Sequence, residues 1–440
     1  MIGPRLLARN LEQLFSGLIL RRLTTGTSWS FVGAICAQGS NVAAAIVVAR
    51  SLGRVGLGEF SMITSTVLML GILTELGLGT TATKYVAELR TSNPHRAGRV
   101  LGVCTLGAAV MGGAVALVLF VATPRLVSTL LKAPHLIVEF RLGCALLFLN
   151  GLIATQLGAL YGLERFKTAA LLNVFRGLVS LPLVATGIWW AGIRGAVAAL
   201  VLVALTTWVL AQRVVLRACS NSGILISWRH LQPEMPALWR FSLPAFTASA
   251  LVGPATWLGN TFLVNQVNGY AELGGFNAAN QWRNAALLLP TVLGQTLMPI
   301  VSSLLEQGDR VGSRKVVLYS IGVSVGVAVP VAAILVVGRT GIMALYGPGF
   351  ASFSPVVILV ALTFLLQTLQ MPIGQVIVAS GRMWLAAALN LGWTLAFVAA
   401  AWFLVGRGMG ALGLALSYFL SYLIHSVWTG WSGARLLRGQ

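Results

Sequence analysis

The sequence predicts an all-α polytopic membrane protein, with about 12 transmembrane helices in two six-helix bundles related by pseudo-two-fold symmetry. Its composition is the first reason. Hydrophobic residues make up 57% of the 440, only 9% are charged, and the mean hydropathy is +0.86. Soluble domains carry about 25% charged residues, so a large soluble core is excluded. The other two reasons are a series of apolar windows and a repeat between the halves of the chain.

Twelve windows of about 20 apolar residues, each long enough to cross a bilayer, follow one another along the chain. The longest connection lies between Leu210 and Phe241, so no extramembrane catalytic domain is expected. The predicted spans are 28–48, 60–81, 100–122, 142–161, 169–190, 195–211, 241–262, 274–300, 316–337, 353–379, 384–405 and 410–430. The predicted units are an interfacial N-terminal helix over 1–27, bundles over 28–217 and 241–432, a cytoplasmic linker over 218–240 and a tail over 433–440.

The basic residues predict the orientation of the chain. There are 30 Lys and Arg against 10 Asp and Glu, a formal charge of +20. With the N-terminus inside, 20 of the 30 fall in cytoplasmic segments and 8 outside. The positive-inside rule therefore places both termini in the cytoplasm. Because these charges lie in short loops between apolar runs, they indicate membrane topology and not nucleic-acid binding.

Two short stretches recur at nearly one spacing. Leu57-Gly58-Glu59-Phe60 returns as Leu273-Gly274-Gly275-Phe276, 216 residues later, and the run 169–173 returns as 386–390 after 217. Six spans per half is an even number, so both halves have the same topology. This predicts an axis along the membrane normal and a substrate site between the halves, near the midplane.

Arg283 lies about ten residues into the eighth predicted span. An arginine near mid-membrane costs at least ~2.5 to 3.5 kcal/mol on insertion scales, so it usually faces a bundle interior or a wet cavity. At about 100° per residue, four amides fall on one arc with Arg283 at its edge, which favours a water-lined face over a simple tie between helices. The four amides are Asn277, Asn280, Gln281 and Asn284.

Other spans add polar groups. Arg176 lies three residues after Asn173, on nearly the same helical face, so Asn173 could orient it. The first span offers Gln38 and Asn41, the fourth Asn150 and Gln156, and the tenth Gln367 and Gln370. Each pair alone is typical of interhelical hydrogen bonding, worth ~0.6 kcal/mol on average. Together with two arginines they could line a cationic, amide-rich cavity that suits an anionic ligand bearing hydroxyls.

Glu75 is the single acid well inside a predicted span. It could bind a coupling proton or sodium ion, pair with an arginine, or only support packing near the interface. The four histidines are scattered without metal-ligand spacing, and no nucleophile–base pair, Walker loop or paired catalytic carboxylates occur. The sequence therefore predicts no enzyme, no metal and no cofactor.

Several motifs resemble the polysaccharide (Wzx-type) flippases of the multidrug, oligosaccharidyl-lipid and polysaccharide exporter superfamily. The resemblance covers essentially the whole chain, with matched order and spacing. The motifs are Leu57-Gly58-Glu59-Phe60, Glu75-Leu76-Gly77-Leu78-Gly79, Lys84-Tyr85-Val86-Ala87-Glu88, Gly275-Phe276 through Trp282-Arg283 to Leu288-Leu289-Pro290, and Tyr346-Gly347-Pro348-Gly349-Phe350. The resemblance implies two bundles forming a V around a central cavity. It also implies that the protein flips an undecaprenyl-diphosphate-linked oligosaccharide across the bacterial inner membrane. In that family, basic cavity residues are thought to hold the diphosphate; Arg283 matches the family's arginine, and Arg176 is carried over with it.

The hypothesis from the sequence is alternating access. Arg283 and Arg176 engage the diphosphate, the amides contact sugars, the prenyl tail stays in membrane lipid, and an ion gradient acts through Glu75. Contact with the polysaccharide polymerase machinery is a further expected partnership. The first alternative is a multidrug cation antiporter of the same superfamily, which would need cavity carboxylates. The second is a membrane-embedded polymerase or ligase, which normally has a long external loop.

Overall fold

The computed structural model describes residues 17–227, 251–291 and 309–438, together with Glu234, Leu297, Val301 and Leu304. The described residues are almost entirely helical and contain no strand. We number the helices α1 Gly17–Glu75, α2 Leu78–Leu89, α3 Pro94–Arg125, α4 Ile137–Gly162, α5 Phe166–Asn221, α6 Val252–Val264, α7 Gly269–Ala286, α8 Arg310–Val337, α9 Arg339–Ala344, α10 Ser354–Ala379, α11 Met383–Gly406 and α12 Gly410–Arg438. Helices α1–α5 form the first lobe and α6–α12 the second.

Two helices of the first lobe are long enough to cross the membrane twice. Their apolar stretches are Phe31–Glu75, 45 residues, and Phe166–Asn221, 56 residues, whereas one crossing takes about 20. Each is broken at a glycine with positive φ, Gly53 at 71° and Gly192 at 58°. Glycine adopts this conformation without the steric cost of a Cβ atom, so the chain reverses there. The two long helices thus supply the first, second, fifth and sixth predicted spans.

Several helix ends differ from the predicted ones. The second span ends at Glu75 and not at 81, because Leu76 and Gly77 have φ of 39° and 71° and start a separate helix, α2. The sixth span continues to Asn221, beyond the predicted 211 and past the predicted unit boundary at 217. In the second lobe α7 begins at Gly269, five residues before the predicted 274. Apolar windows locate the membrane core, but polar helix ends extend beyond it.

Eight helices among the described residues are long and apolar enough to cross a membrane. Each of the two long helices counts as two crossings, and α6 and α7 lie at the seventh and eighth predicted spans. This part of the chain therefore agrees with about twelve crossings. The predictions for residues 1–16, for most of the linker 218–240, and for parts of the spans 241–262 and 274–300 lie outside the described residues. Residues 17–27 are helical and continuous with the first span, and α12 extends to Arg438 through most of the predicted tail.

The two lobes meet where the recurring stretches lie. A Cβ atom added to Gly58 would lie 1.8 Å from the carbonyl oxygen of Tyr270, and one added to Gly274 would lie 2.0 Å from that of Arg54. Each would also lie 3.1 Å from the backbone nitrogen of the other glycine. Both Gly58 with Gly274 and Arg54 with Tyr270 are 216 residues apart, so the contact is reciprocal. The pseudo-two-fold axis therefore passes between these two glycines.

Around this contact, side chains of each lobe bond to the backbone of the other. The amide of Asn265 donates to the carbonyl of Leu130 at 2.8 Å, and the hydroxyl of Tyr270 to that of Leu131 at 2.9 Å. In the opposite direction, Nε of Arg50 donates to the carbonyl of Leu345 at 2.7 Å. We call this region, residues 50–58, 126–136, 265–274 and 339–350, the sealed end. A continuous buried core with members from both lobes begins in the sealed end with Leu57 and Leu273 and continues along α1 and α7 with Met62 and Phe276.

Candidate functional site

Helix α7 carries Arg283 into the second lobe. Its first turn is fixed by Glu272, whose carboxylate accepts a hydrogen bond of 2.7 Å from the backbone N–H of Ala411 at the start of α12. One turn further on, Phe276 is 2% exposed and stacks on Tyr418 of α12, with ring centroids 5.6 Å apart. Because α7 is joined to α12 at two levels, Arg283 two turns later also faces α12.

Arg283 is 8% exposed, and its guanidinium carbon lies 4.7 Å from the centroid of the Tyr418 ring. A guanidinium at this distance from an aromatic face gains about 0.5 to 2 kcal/mol, more when desolvated. Within the described part of the chain, Arg283 makes no ion pair, and its buried Nε has no hydrogen-bond partner. The site thus holds a fixed positive charge that no described carboxylate neutralises.

Four aromatic residues of α11 and α12 form what we call the aromatic cage: Trp393, Phe397, Tyr418 and Tyr422. Phe397 lies 4.5 Å from Tyr418 and 5.3 Å from Trp393 between ring centroids, and Trp393 lies 5.2 Å from Tyr422. Sequence reasoning missed the cage. The available signal was the spacing of four residues in both Trp393/Phe397 and Tyr418/Tyr422, which places each pair on one helical face.

The predicted amides of α7 have different surroundings. Asn277 donates to the carbonyl of Leu273 in its own helix at 3.1 Å. Oδ1 of Asn280 is buried and, among the described residues, accepts no hydrogen bond. Gln281 is half-buried and Asn284 is exposed. Asn280 is therefore the amide that combines burial with unused hydrogen-bonding capacity.

In the first lobe, Arg176 donates from Nη2 to Oδ1 of Asn150 on α4 at 2.8 Å. Asn173, the residue predicted to orient it, is half-buried and makes no hydrogen bond to Arg176 within the described part of the chain. The next residue, Gly177, lies against α1, since a Cβ there would be 2.7 Å from Oγ of Ser40. Arg176 is thus held between α4 and α5, beside the part of α1 that carries the two predicted amides. Of these, Gln38 is half-buried and Asn41 is exposed.

Two other predicted amides, Gln156 and Gln370, join neighbouring helices. Gln156 donates to Gln212 at 2.6 Å, linking α4 to α5, and Gln370 lies 2.6 Å from Nδ1 of His425, linking α10 to α12. These match the interpretation of single polar pairs as interhelical hydrogen bonds. Glu75 is exposed at the end of α1, beside the break at Leu76 and Gly77, and has no ion pair with any described residue.

The structure therefore brings Arg283 together with the aromatic cage in the second lobe, and Arg176 with Asn150 in the first. No hydrogen bond between described residues joins the two arginines. The described residues also include no group of three or more His, Cys, Asp or Glu that could hold a metal ion.

These features define a multi-pass, two-lobed helical membrane protein with a buried arginine in the second lobe and a half-buried one in the first. A family model described as "Polysaccharide biosynthesis protein" matches residues 23–305, more than half of the chain. The chain belongs to this family, which confirms the resemblance to polysaccharide flippases.

Two relatives of known name are similar along most of their length. Both are the EPS I polysaccharide export inner membrane protein EpsE, from Ralstonia nicotianae and Ralstonia solanacearum. The first is 25% identical over 394 residues, covering 87% of this chain and 88% of the relative. The second is 22% identical over 397 residues and covers 88% of each.

Solved structures show the same fold. An inward-facing multidrug resistance MATE family transporter of the MOP superfamily superposes with a TM-score of 0.74 at 15% identity, over 91% of this chain and 95% of its own. An outward-facing MATE structure gives 0.72 at 15%, over 95% and 96%. A MOP superfamily transporter from Pyrococcus furiosus, whose binding pocket has reversed polarity, gives 0.70 at 16%, over 94% and 96%. The predicted fold class is confirmed.

Proposed function

We propose that the protein flips an undecaprenyl-diphosphate-linked oligosaccharide across the bacterial inner membrane by alternating access. Its family membership and its similarity to named polysaccharide export inner membrane proteins support transport of a polysaccharide precursor. The observation that carries the proposal is the state of Arg283. A buried guanidinium with an unsatisfied Nε and no described acidic partner has its charge available for an anionic cargo.

The chemistry of the cargo fits the two lobes. A guanidinium offers forked donors that match phosphate oxygens, and amides both donate to and accept from sugar hydroxyls. In this proposal Arg283 engages the diphosphate from the second lobe, with Asn280, Gln281 and Asn284 near the sugars. Arg176 approaches from the first lobe, supported by Asn150 at 2.8 Å. The prenyl chain stays in the lipid, where its burial costs nothing.

The direction of opening follows from the predicted topology. Both termini in the cytoplasm would put the sealed end on the external side, because its loops follow the odd-numbered spans. The structure then represents the form closed to the outside. Cargo would enter from the cytoplasmic side, and separation of the lobes at the sealed end would release it.

Export would draw on an ion gradient and deliver cargo to the polymerase machinery. Glu75 is the candidate for binding the proton or sodium ion. Its place beside the helix break at Leu76 and Gly77 supports this role, because binding there could change the angle between α1 and α2.

The test is complementation of a flippase-null strain, scored by surface polysaccharide at matched membrane expression. We expect Arg283→Ala to abolish export and Arg283→Lys to retain a fraction, because lysine keeps the charge but not the forked donors. Arg407→Ala is the matched control, since Arg407 also lies over an aromatic ring, Phe403 at 4.0 Å, but is exposed at a helix end. Full export by Arg283→Ala would remove the assigned role.

A multidrug cation antiporter is the alternative with a specific observation in its favour, the likeness to MATE structures. At 15% identity that likeness shows the fold alone. A cationic cargo needs carboxylates in the site, whereas the charged group that the described residues place against the aromatic cage is an arginine, over the ring of Tyr418. The charge at the site therefore favours an anionic cargo.

A further inference from the structure

A groove of about 580 Å³ opens at the sealed end, between the two lobes. One wall is the end of the first span and its reversal at Gly53, and the other is the glycine-rich connection between α9 and α10. Its lining residues are Ala49, Arg50, Gly53, Arg54, Ala344, Tyr346, Gly347, Pro348, Gly349, Phe350 and Ala351. The groove is separate from the aromatic cage, because it shares no residue with it.

The groove is cationic. Arg50 and Arg54 are both exposed, and none of its lining residues is acidic. Arg50 uses Nε to bond Leu345, and among the described residues its terminal nitrogens make no hydrogen bond, so they can face a ligand. Within the described parts of the chain, neither arginine forms an ion pair. The Tyr346 phenol does not offset the two charges, because a phenol is neutral near pH 7 and burial raises its pKa further.

Comparison with the symmetry-related contact shows that the groove departs from the repeat. The Arg50–Leu345 bond corresponds, within one residue at each end, to the Asn265–Leu130 bond. Arg54 corresponds to Tyr270, whose hydroxyl bonds the first lobe at Leu131 and closes that side of the interface. On the arginine side, the described residues make no such bond to Arg54, and the groove remains.

We propose that this groove binds a phosphate group and that binding holds the lobes together at the sealed end. Two guanidinium groups on one wall match the oxygens of a phosphate or diphosphate. The opposite wall is close, since a Cβ on Gly349 would lie 4.0 Å from Cδ of Arg54. A ligand that contacts both walls stabilises the sealed form. When the lobes separate, the ligand loses its contacts with the second wall. Binding is therefore stronger to the sealed form.

The phosphate could belong to a lipid headgroup in the adjacent leaflet or to a soluble phosphate compound. The two sources share the same chemistry at the arginines, and the surrounding medium distinguishes them. Neither source requires Arg283 or the proposed cargo, so this inference can fail while the proposed function holds, and the reverse is also possible.

The experiment measures sealing directly. Spin labels at Ser128 and Val267, both exposed and on opposite sides of the interface, report the distance between the lobes in a Cys36→Ser background. The other three cysteines are buried. One arm uses phosphatidylcholine nanodiscs with and without inorganic pyrophosphate at constant ionic strength. The other replaces phosphatidylcholine with phosphatidylglycerol and omits pyrophosphate.

We expect at least one arm to raise the ratio of sealed to open protein. A ligand specific for the sealed form, present at 100 times its dissociation constant, raises this ratio about 100-fold. The effect should disappear in Arg54→Gln, which keeps the Arg50–Leu345 bond, and in the double variant with Arg50→Gln. It should persist in Arg125→Gln, an exposed arginine at the same end of the molecule.

The arm that responds identifies the source of the phosphate. A response to pyrophosphate alone indicates a soluble compound, and a response to phosphatidylglycerol alone indicates a headgroup. No response in either arm, or an equal response in Arg54→Gln, would overturn the proposal.

Discussion

Replacing Gly58 with alanine should push the lobes apart at the sealed end. The new Cβ would lie 1.8 Å from the carbonyl oxygen of Tyr270, where real Cβ contacts are longer than 3.0 Å. Both neighbours are helix backbone, so the helices must separate by more than 1 Å. Overpacking of this kind costs about 1 to 3 kcal/mol. That cost falls on the sealed form alone and should lower its ratio to the open form about 5- to 150-fold.

The assay is the Ser128–Val267 label distance, compared between the parent protein and Gly58→Ala. Gly71→Ala on the same helix is the control, because a Cβ there has nothing within 4 Å. Gly274→Ala should act like Gly58→Ala, since its Cβ would lie 2.0 Å from the Arg54 carbonyl. The double variant should add little, because once the helices have separated both clashes are relieved. An unchanged distance distribution in Gly58→Ala would show that the reciprocal glycine contact does not control sealing.

Three further changes test the site and the linker. Tyr418→Leu should reduce export, because it removes the ring beneath Arg283 and with it about 0.5 to 2 kcal/mol of cation–π stabilisation. Tyr418→Phe keeps the ring and should retain export. Both variants are scored by complementation. Asn150→Ala should reduce export without loss of folded protein, because Arg176 loses the hydrogen bond of 2.8 Å that orients it. Export equal to that of the parent protein would exclude a role for this orientation of Arg176. Glu234→Gln should lower the free energy of unfolding by about 1 to 2 kcal/mol, because its carboxylate, 2% exposed, loses charge-assisted hydrogen bonds to the partly exposed Arg96 and Arg99. The exposed Glu88→Gln should leave the free energy of unfolding unchanged.

The helices were predictable from apolar length because each must fill the membrane thickness. The predicted span 384–405 corresponds to α11, Met383–Gly406, within one residue at each end. The end at Glu75 was missed for a local reason: the left-handed residues Leu76 and Gly77 interrupt an otherwise apolar run, and hydropathy does not detect backbone conformation. The reversal at Gly53 lies between the predicted spans 28–48 and 60–81, so the apolar windows located it, although they did not identify the residue with positive φ that forms it.

The candidate site was predictable in its charges but not in their partners. Helical periodicity placed Asn173 on the face of Arg176, yet Arg176 bonds Asn150, 26 residues away on another helix. The periodicity of one helix does not show which neighbour covers a face, so the packing of α4 on α5 decided the outcome. For Arg283, the covering helix was α12, whose aromatic residues look like ordinary core residues in the sequence.

The repeat explains why the two lobes hold their charges differently. An offset of 217 relates Arg176 to Trp393 and its partner Asn150 to Gln367. In the first lobe these positions form a guanidinium–amide bond. In the second, Trp393 contributes to the aromatic cage, and the buried Oε1 of Gln367 accepts no hydrogen bond among the described residues. The second lobe therefore draws its charge from α7, a helix at the lobe interface, whereas the first draws it from α5. Under the proposed function, rocking about the Gly58–Gly274 contact would change the positions of Arg283 and Arg176 relative to a bound diphosphate.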